Sequence, residues 1–263
     1  MNIYRIRGVI YKQWLTNKRD IFRIFDVFWW PAFQLFTWGL FSSYIESSKQ
    51  AGSINFITLL LGGVILWTFF DRSSRDISLA FIDELWQRNF VNLFSSPLRV
   101  SEYLTGIIIV AIVKLIISAM FLFFLASVLY HFQIFRFGWY FIPAVSGLIM
   151  LGWSISLVVQ GFILKFGHTV EVFIWAAAVL LQPFSCVFYP VATLPVWAQK
   201  VALFLPSTYL FENMRLYLTD GIVQWQDLWL SFGLNGLYLV GSILFFYRAY
   251  FDAKRRGYLT REF

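Results

Sequence analysis

Cysteine, histidine and charge are all scarce in this chain of 263 residues. Its one cysteine, Cys186, closes no intrachain disulfide. Its two histidines, His131 and His168, lie too far apart in sequence to suggest a metal-ligand cluster, and no metal site is assigned. Seven prolines and 16 glycines exclude collagen-like and low-complexity chains. No G-x-x-x-x-G-K-[ST], G-x-S-x-G or H-E-x-x-H occurs, so the chain carries no Walker nucleotide site, serine elbow or zinc-protease signature and no catalytic residue is assigned. A secretory signal is not expected either, because the apolar core begins only near Val27 and no small-residue cleavage site follows.

What the chain has is apolar surface. Hydrophobic residues make up 59% and aromatic residues 21%, with 13% charged and a mean hydropathy of +0.68. A soluble domain carries about 25% charged residues, and a single core of this length could not hide the apolar excess. The composition therefore predicts an all-α polytopic membrane protein. Six apolar stretches are long enough to be transmembrane helices: 27–44, 54–70, 104–130, 139–164, 170–189 and 228–247. Residues 1–26 place Ile3, Ile6, Ile10 and Trp14 at helical spacing among six basic residues, the pattern of an amphipathic interfacial helix. The six-helix domain then spans 27–247, and 248–263 is a basic tail.

The net charge of +7 is placed rather than spread. Six of 21 Lys and Arg fall in 1–26, four in 71–103 and five in 248–263. By the positive-inside rule both termini and the 71–103 loop face the cytoplasm, which suits an even number of crossings in the plasma membrane. No basic stripe interleaved with aromatics points to nucleic acid.

Two connections exceed what topology needs. The segment 71–103 reads as a cytoplasmic loop with a short amphipathic helix, followed by Ser95-Ser96-Pro97 and a return to the membrane. Its five acids beside four bases suit a protein partner better than a lipid surface. The external segment 190–227 is too apolar for a free loop, yet Pro190, Pro195 and Pro206 cut it into pieces too short to cross. It reads as a pair of re-entrant half-helices before the last span, with Glu212 and Arg215 paired at i,i+3. Within the spans Lys114 is the conspicuous charge, and Glu171 is its candidate partner. Gln160 and Asn235 suit interhelical hydrogen bonds.

These pieces together resemble the permease subunits of type-2 ABC exporters, over essentially the whole chain. One local pattern is Glu84 followed by Leu93-Phe94-Ser95-Ser96-Pro97-Leu98-Arg99 and Glu102-Tyr103-Leu104. The other is Phe188-Tyr189-Pro190-Val191, Leu194-Pro195-Val196-Trp197, Leu205-Pro206 and Glu212-Asn213-Met214-Arg215. The resemblance implies a pore-forming subunit that is not itself an enzyme, paired with a second copy as a homodimer and surrounded by membrane lipids. ATP and Mg would be bound by a separate cytoplasmic ATPase chain, docked on the 71–103 coupling loop through Asp83, Glu84, Arg88, Pro97 and Arg99. The substrate would be a lipid-linked glycan or polysaccharide, with drug or lipid efflux as the alternative. An ion-coupled secondary transporter or a membrane-embedded enzyme also remains open from the residues alone.

Overall fold

The computed structural model describes residues 1–48, 56–87, 89, 92–93 and 96–256. Arg88, Phe94, Ser95 and the tail beyond residue 256 lie outside the described residues. Among the described residues the fold is all helical. Helix α1 (Ile3–Arg19) starts at Asn2, whose side chain accepts the backbone N–H of Tyr4 at 3.0 Å. It stops at Asp20, which has extended backbone (φ −106, ψ 105). Asp20 also opens α2 (Ile21–Ser48), its carboxylate accepting the N–H of Phe22 at 3.0 Å. The break therefore lies at residue 20, and the rest of the expected N-terminal segment is the start of α2.

Pro31 sits inside α2 and cannot donate to the carbonyl of Val27. Ser118 supplies the missing donor, with Oγ 3.0 Å from that carbonyl. The chain continues with α3 (Phe56–Trp86), α4 (Val100–Tyr130) and α5 (Phe141–Phe166). Next come α6 (Val172–Leu181), α7 (Val196–Leu203), α8 (Pro206–Asp220) and α9 (Trp225–Arg255). Among the described residues three segments are both long and apolar enough to cross a membrane: α4, the run Ile134–Phe166 that ends in α5, and α9.

Two sequence expectations change here. Residues 71–86 are not loop: they continue α3 without a break, and only 87–99 connects it to α4. The charges that mark a membrane boundary do not end a helix, because Asp71 pairs with Arg75 and Arg72 with Asp76 at i,i+4. The expected fifth span, 170–189, is a helix of only ten residues, about 15 Å long, which gives way to turns at Pro183.

Packing divides the molecule into two apolar cores strung along α3. Leu61, Ile65, Trp67 and Phe70 enter one, with Phe137, Tyr140, Leu148 and Phe211. Ile77, Phe81 and Ile82 enter the other, with Tyr103, Ile107 and Phe246. Residues 71–76, all six polar or charged and all but Asp71 buried, lie between the two. Close approach of α3 and α5 depends on Gly152, where a Cβ would stand 1.9 Å from Ser73 Oγ and 2.9 Å from the carbonyl of Phe70.

Candidate functional site

The segment 71–103 carries five acids, and each of them is matched within the chain. Asp71 pairs with Arg75 at 3.0 Å and Asp76 with Arg72 at 2.9 Å. The other three reach back to the N-terminal residues. Asp83 takes a two-pronged ion pair from Arg23, with Nη2 at 2.9 Å from Oδ1. Glu84 accepts Lys12 Nζ at 2.6 Å, Asn89 Nδ2 at 2.7 Å and Gln13 Nε2 at 3.4 Å. Glu102 accepts the N–H of Asn2 at 2.7 Å and that of Arg99 at 3.0 Å, and it faces Arg5 at 3.5 Å. Arg5 also donates to the carbonyl of Pro97.

This arrangement changes the role of the acids. Asp83 and Glu84 are buried, and their oxygens are occupied by α1 and α2. They tie the N-terminal helix to the ends of the 87–99 connection and do not present a surface to a partner. Among its described residues the connection exposes Gln87, Asn92, Ser96, Pro97 and Arg99. Arg99 holds the first position before α4, where Glu102 caps its backbone N–H.

The face of α1 that docks is Ile6, Val9 and Gln13. Val9 meets α4 at Gly106, where a Cβ would lie 2.6 Å from Val9 Cγ1. Ile3 and Trp14, which share the apolar phase in the sequence, are exposed along with Tyr4 and Tyr11. The helix thus has one apolar side against the protein and another facing outward.

Deeper along α3 lies a cluster that sequence reasoning missed. Arg72, fully buried, bridges Asp26 of α2 at 2.7 Å and Asp76 one turn on. Lys114 of α4 stands 3.8 Å from Asp76. Its ion pair is therefore with Asp76, and Glu171, the candidate from sequence, sits partly exposed at the head of α6. The guanidinium of Arg75 lies 5.1 Å from the ring centre of Trp175. Lys114, a charge inside an apolar run, signals one member of this cluster in the sequence, whereas Arg72 and Asp76 stand at the edge of such a run and read as a loop boundary.

At the other end of the bundle, Pro195 and Pro206 stand at the starts of α7 and α8, and Gly221 ends α8 with left-handed backbone (φ 69). Glu212 and Arg215 pair at 2.9 Å and fasten the irregular strap before α7. Glu212 accepts the N–H of Val191, next to Pro190, at 2.7 Å. Arg215 donates to the carbonyl of Cys186 at 2.8 Å, where the backbone is also left-handed (φ 55). Gln160 donates to Ser156 Oγ at 2.9 Å within α5, while the buried amide of Asn235 has no hydrogen-bond partner among the described residues.

No group of three or more His, Cys, Asp or Glu side chains placed to hold a metal ion occurs among the described residues. The features that remain are mechanical: a helix tethered to both ends of an exposed connection, an ionic cluster between two apolar cores, and a strapped pair of short helices. Comparison with curated proteins gives no match. A family model described as ABC-2 type transporter matches residues 6–218, from α1 through nearly all of α8. The chain belongs to the ABC-2 type transporter family, a family of membrane transport components.

Proposed function

We propose that this chain is the permease of an ATP-driven exporter, working as a homodimer with a separate cytoplasmic ATPase that binds ATP and Mg. Both termini and the 87–99 connection face the cytoplasm of the plasma membrane. Six crossings are made by α2, α3, α4, α5, α9 and the segment from α6 to the strap, with α7 and α8 re-entrant from outside. The carrying observation is the triple tether of α1 and the start of α2 to Asp83, Glu84 and Glu102. A motor that grips Ser96, Pro97 and Arg99 would pull on α1, α3 and α4 together, which is what conversion of nucleotide closure into movement of a path requires. The cargo is a lipid-linked glycan or another amphiphile, whose sugars the 31 Phe, 12 Trp and 13 Tyr could stack and whose tail apolar walls would tolerate; a drug or lipid is the alternative cargo.

Isolation in mild detergent tests this. A P-loop ATPase should co-purify in stoichiometric amount, and Ser96→Cys should cross-link to it while Thr219→Cys at the opposite end should not. Ion coupling is the second reading, favoured by the buried Asp26–Arg72–Asp76–Lys114 cluster. Absence of an ATPase together with proton- or sodium-driven uptake by the chain alone would select it.

A further inference from the structure

Two hollows flank the junction of α1 and α2, and their charges are sorted. One is a cavity of about 280 Å³ whose acidic lining is Asp20, Asp26, Asp76 and Asp83. Beside it runs a groove of about 200 Å³ walled by Ile24, Val27, Phe28 and Ile117, with Lys18, Arg23 and Lys114 as its charged lining residues and no carboxylate. Asn17, Arg23 and Lys114 line both hollows. The C-terminus of α1 and the N-terminus of α2 meet here at Asp20, so their dipoles offset and side chains set the sign. Asn17 donates its amide N–H to the carbonyl of Gln13 at 2.6 Å, while its Oδ1 is buried and has no hydrogen-bond partner among the described residues.

An apolar groove, cations along it, and then carboxylates form a sequence of environments. A phospholipid with a primary-amine headgroup presents the complementary sequence: acyl chain, phosphate, ammonium. We propose that the α1–α2 junction holds one phosphatidylethanolamine, its acyl chain in the groove and its phosphate against Lys18 and Lys114. The ammonium would then lie toward Asp20 and Asp26, whose side chains are 40% and 22% exposed. A trimethylammonium head has no N–H to give those acceptors, and a glycerol head has no positive charge. Bound there, the lipid would fasten the N-terminal lever to α2 and α4 through the bilayer itself.

The inference rests on the placement of this junction at a membrane interface, as proposed above, and not on the ATPase or the cargo. The purified full chain is incubated in detergent with equal amounts of phosphatidylethanolamine, phosphatidylglycerol and phosphatidylcholine, and retained lipid is counted by native mass spectrometry. One phosphatidylethanolamine should be retained per chain, favoured about tenfold over each of the others, the size of one charge-assisted hydrogen bond. Ile24→Trp, which fills the groove, should lower retention of all phospholipids. Asp20→Asn keeps a good cap for α2 and should narrow the headgroup preference without lowering total retention; circular dichroism checks that both variants stay helical. Equal retention of the three lipids, retention untouched by Ile24→Trp, or a preference untouched by Asp20→Asn overturns the proposal. Transport is not measured in this experiment, so its failure leaves the ATPase reading standing, and the co-purification above can fail without affecting it.

Discussion

Lys12 and Glu84 carry much of what is specific to this chain at the scale of single residues. Glu84 is buried at 1% exposure, while Lys12 keeps about a third of its side chain in solvent. Replacing the cation therefore leaves a buried carboxylate with Gln13 and Asn89 as its remaining donors among the described residues. Lys12→Glu should loosen the docking of α1 by about 1.5–3 kcal/mol, the range for a hydrogen bond to a charged group. Faster hydrogen exchange along α1 reads this directly, and adding Glu84→Lys should recover part of the protection. If α1 is the lever, charge reversal at Glu84 or Arg88 leaves ATP hydrolysis running while transport falls; undiminished coupling in both would sink the lever. Glu102→Gln should speed hydrogen exchange in the first turn of α1, because a neutral amide holds the N–H of Asn2 and the guanidinium of Arg5 less strongly than the carboxylate does. The sequence displayed Glu84 and Glu102 as charges near a boundary. It could not display their partners, because pairing across 72 or 97 residues has no spacing signature.

At the scale of elements, α2 shows how a helix keeps a proline. The carbonyl of Val27 loses its own donor to Pro31 and is served from α4 by Ser118. Ser118→Ala should lower thermal stability in detergent by about 1 kcal/mol. Pro31→Ala in the same chain should restore it, since the new N–H returns to Val27; a double variant as unstable as the single one would show that Ser118 acts in another way. The short elements were the most legible. Pro195, Pro206 and Gly221 bound α7 and α8 by backbone chemistry alone, with no appeal to packing. The lengths of α3 and α6 were not legible, because apolar runs mark what faces lipid and not where a helix stops. α3 carries its charges on into the protein, and α6 ends inside an apolar run at Pro183.

Over the whole molecule, the two apolar cores are joined through a set of charges, buried Arg72 and Asp76 with partly buried Asp26 and Lys114. Such a set is not a simple source of stability, since desolvation offsets attraction, but removing one member leaves a charge uncompensated. Arg72→Met should destabilise by about 3–5 kcal/mol, read as a lower thermal midpoint in detergent. Adding Asp26→Asn restores the charge balance and should recover a large part of the loss. No recovery would mean that Arg72 acts by packing and not by charge.

Composition and hydropathy by themselves determined that this is a helical membrane protein, and Pro195, Pro206 and Gly221 determined where α7 and α8 begin and where α8 ends. Those properties are local: apolar area sums along the chain, and a missing N–H or a left-handed turn acts on its own residue and the next few. The tertiary structure alone decided that the five acids of 71–103 are spent inside the chain, that Lys114 answers to Asp76, and that α1 is bolted to both ends of one connection. Charge attraction depends on distance in space, and a sequence states only distance along the chain.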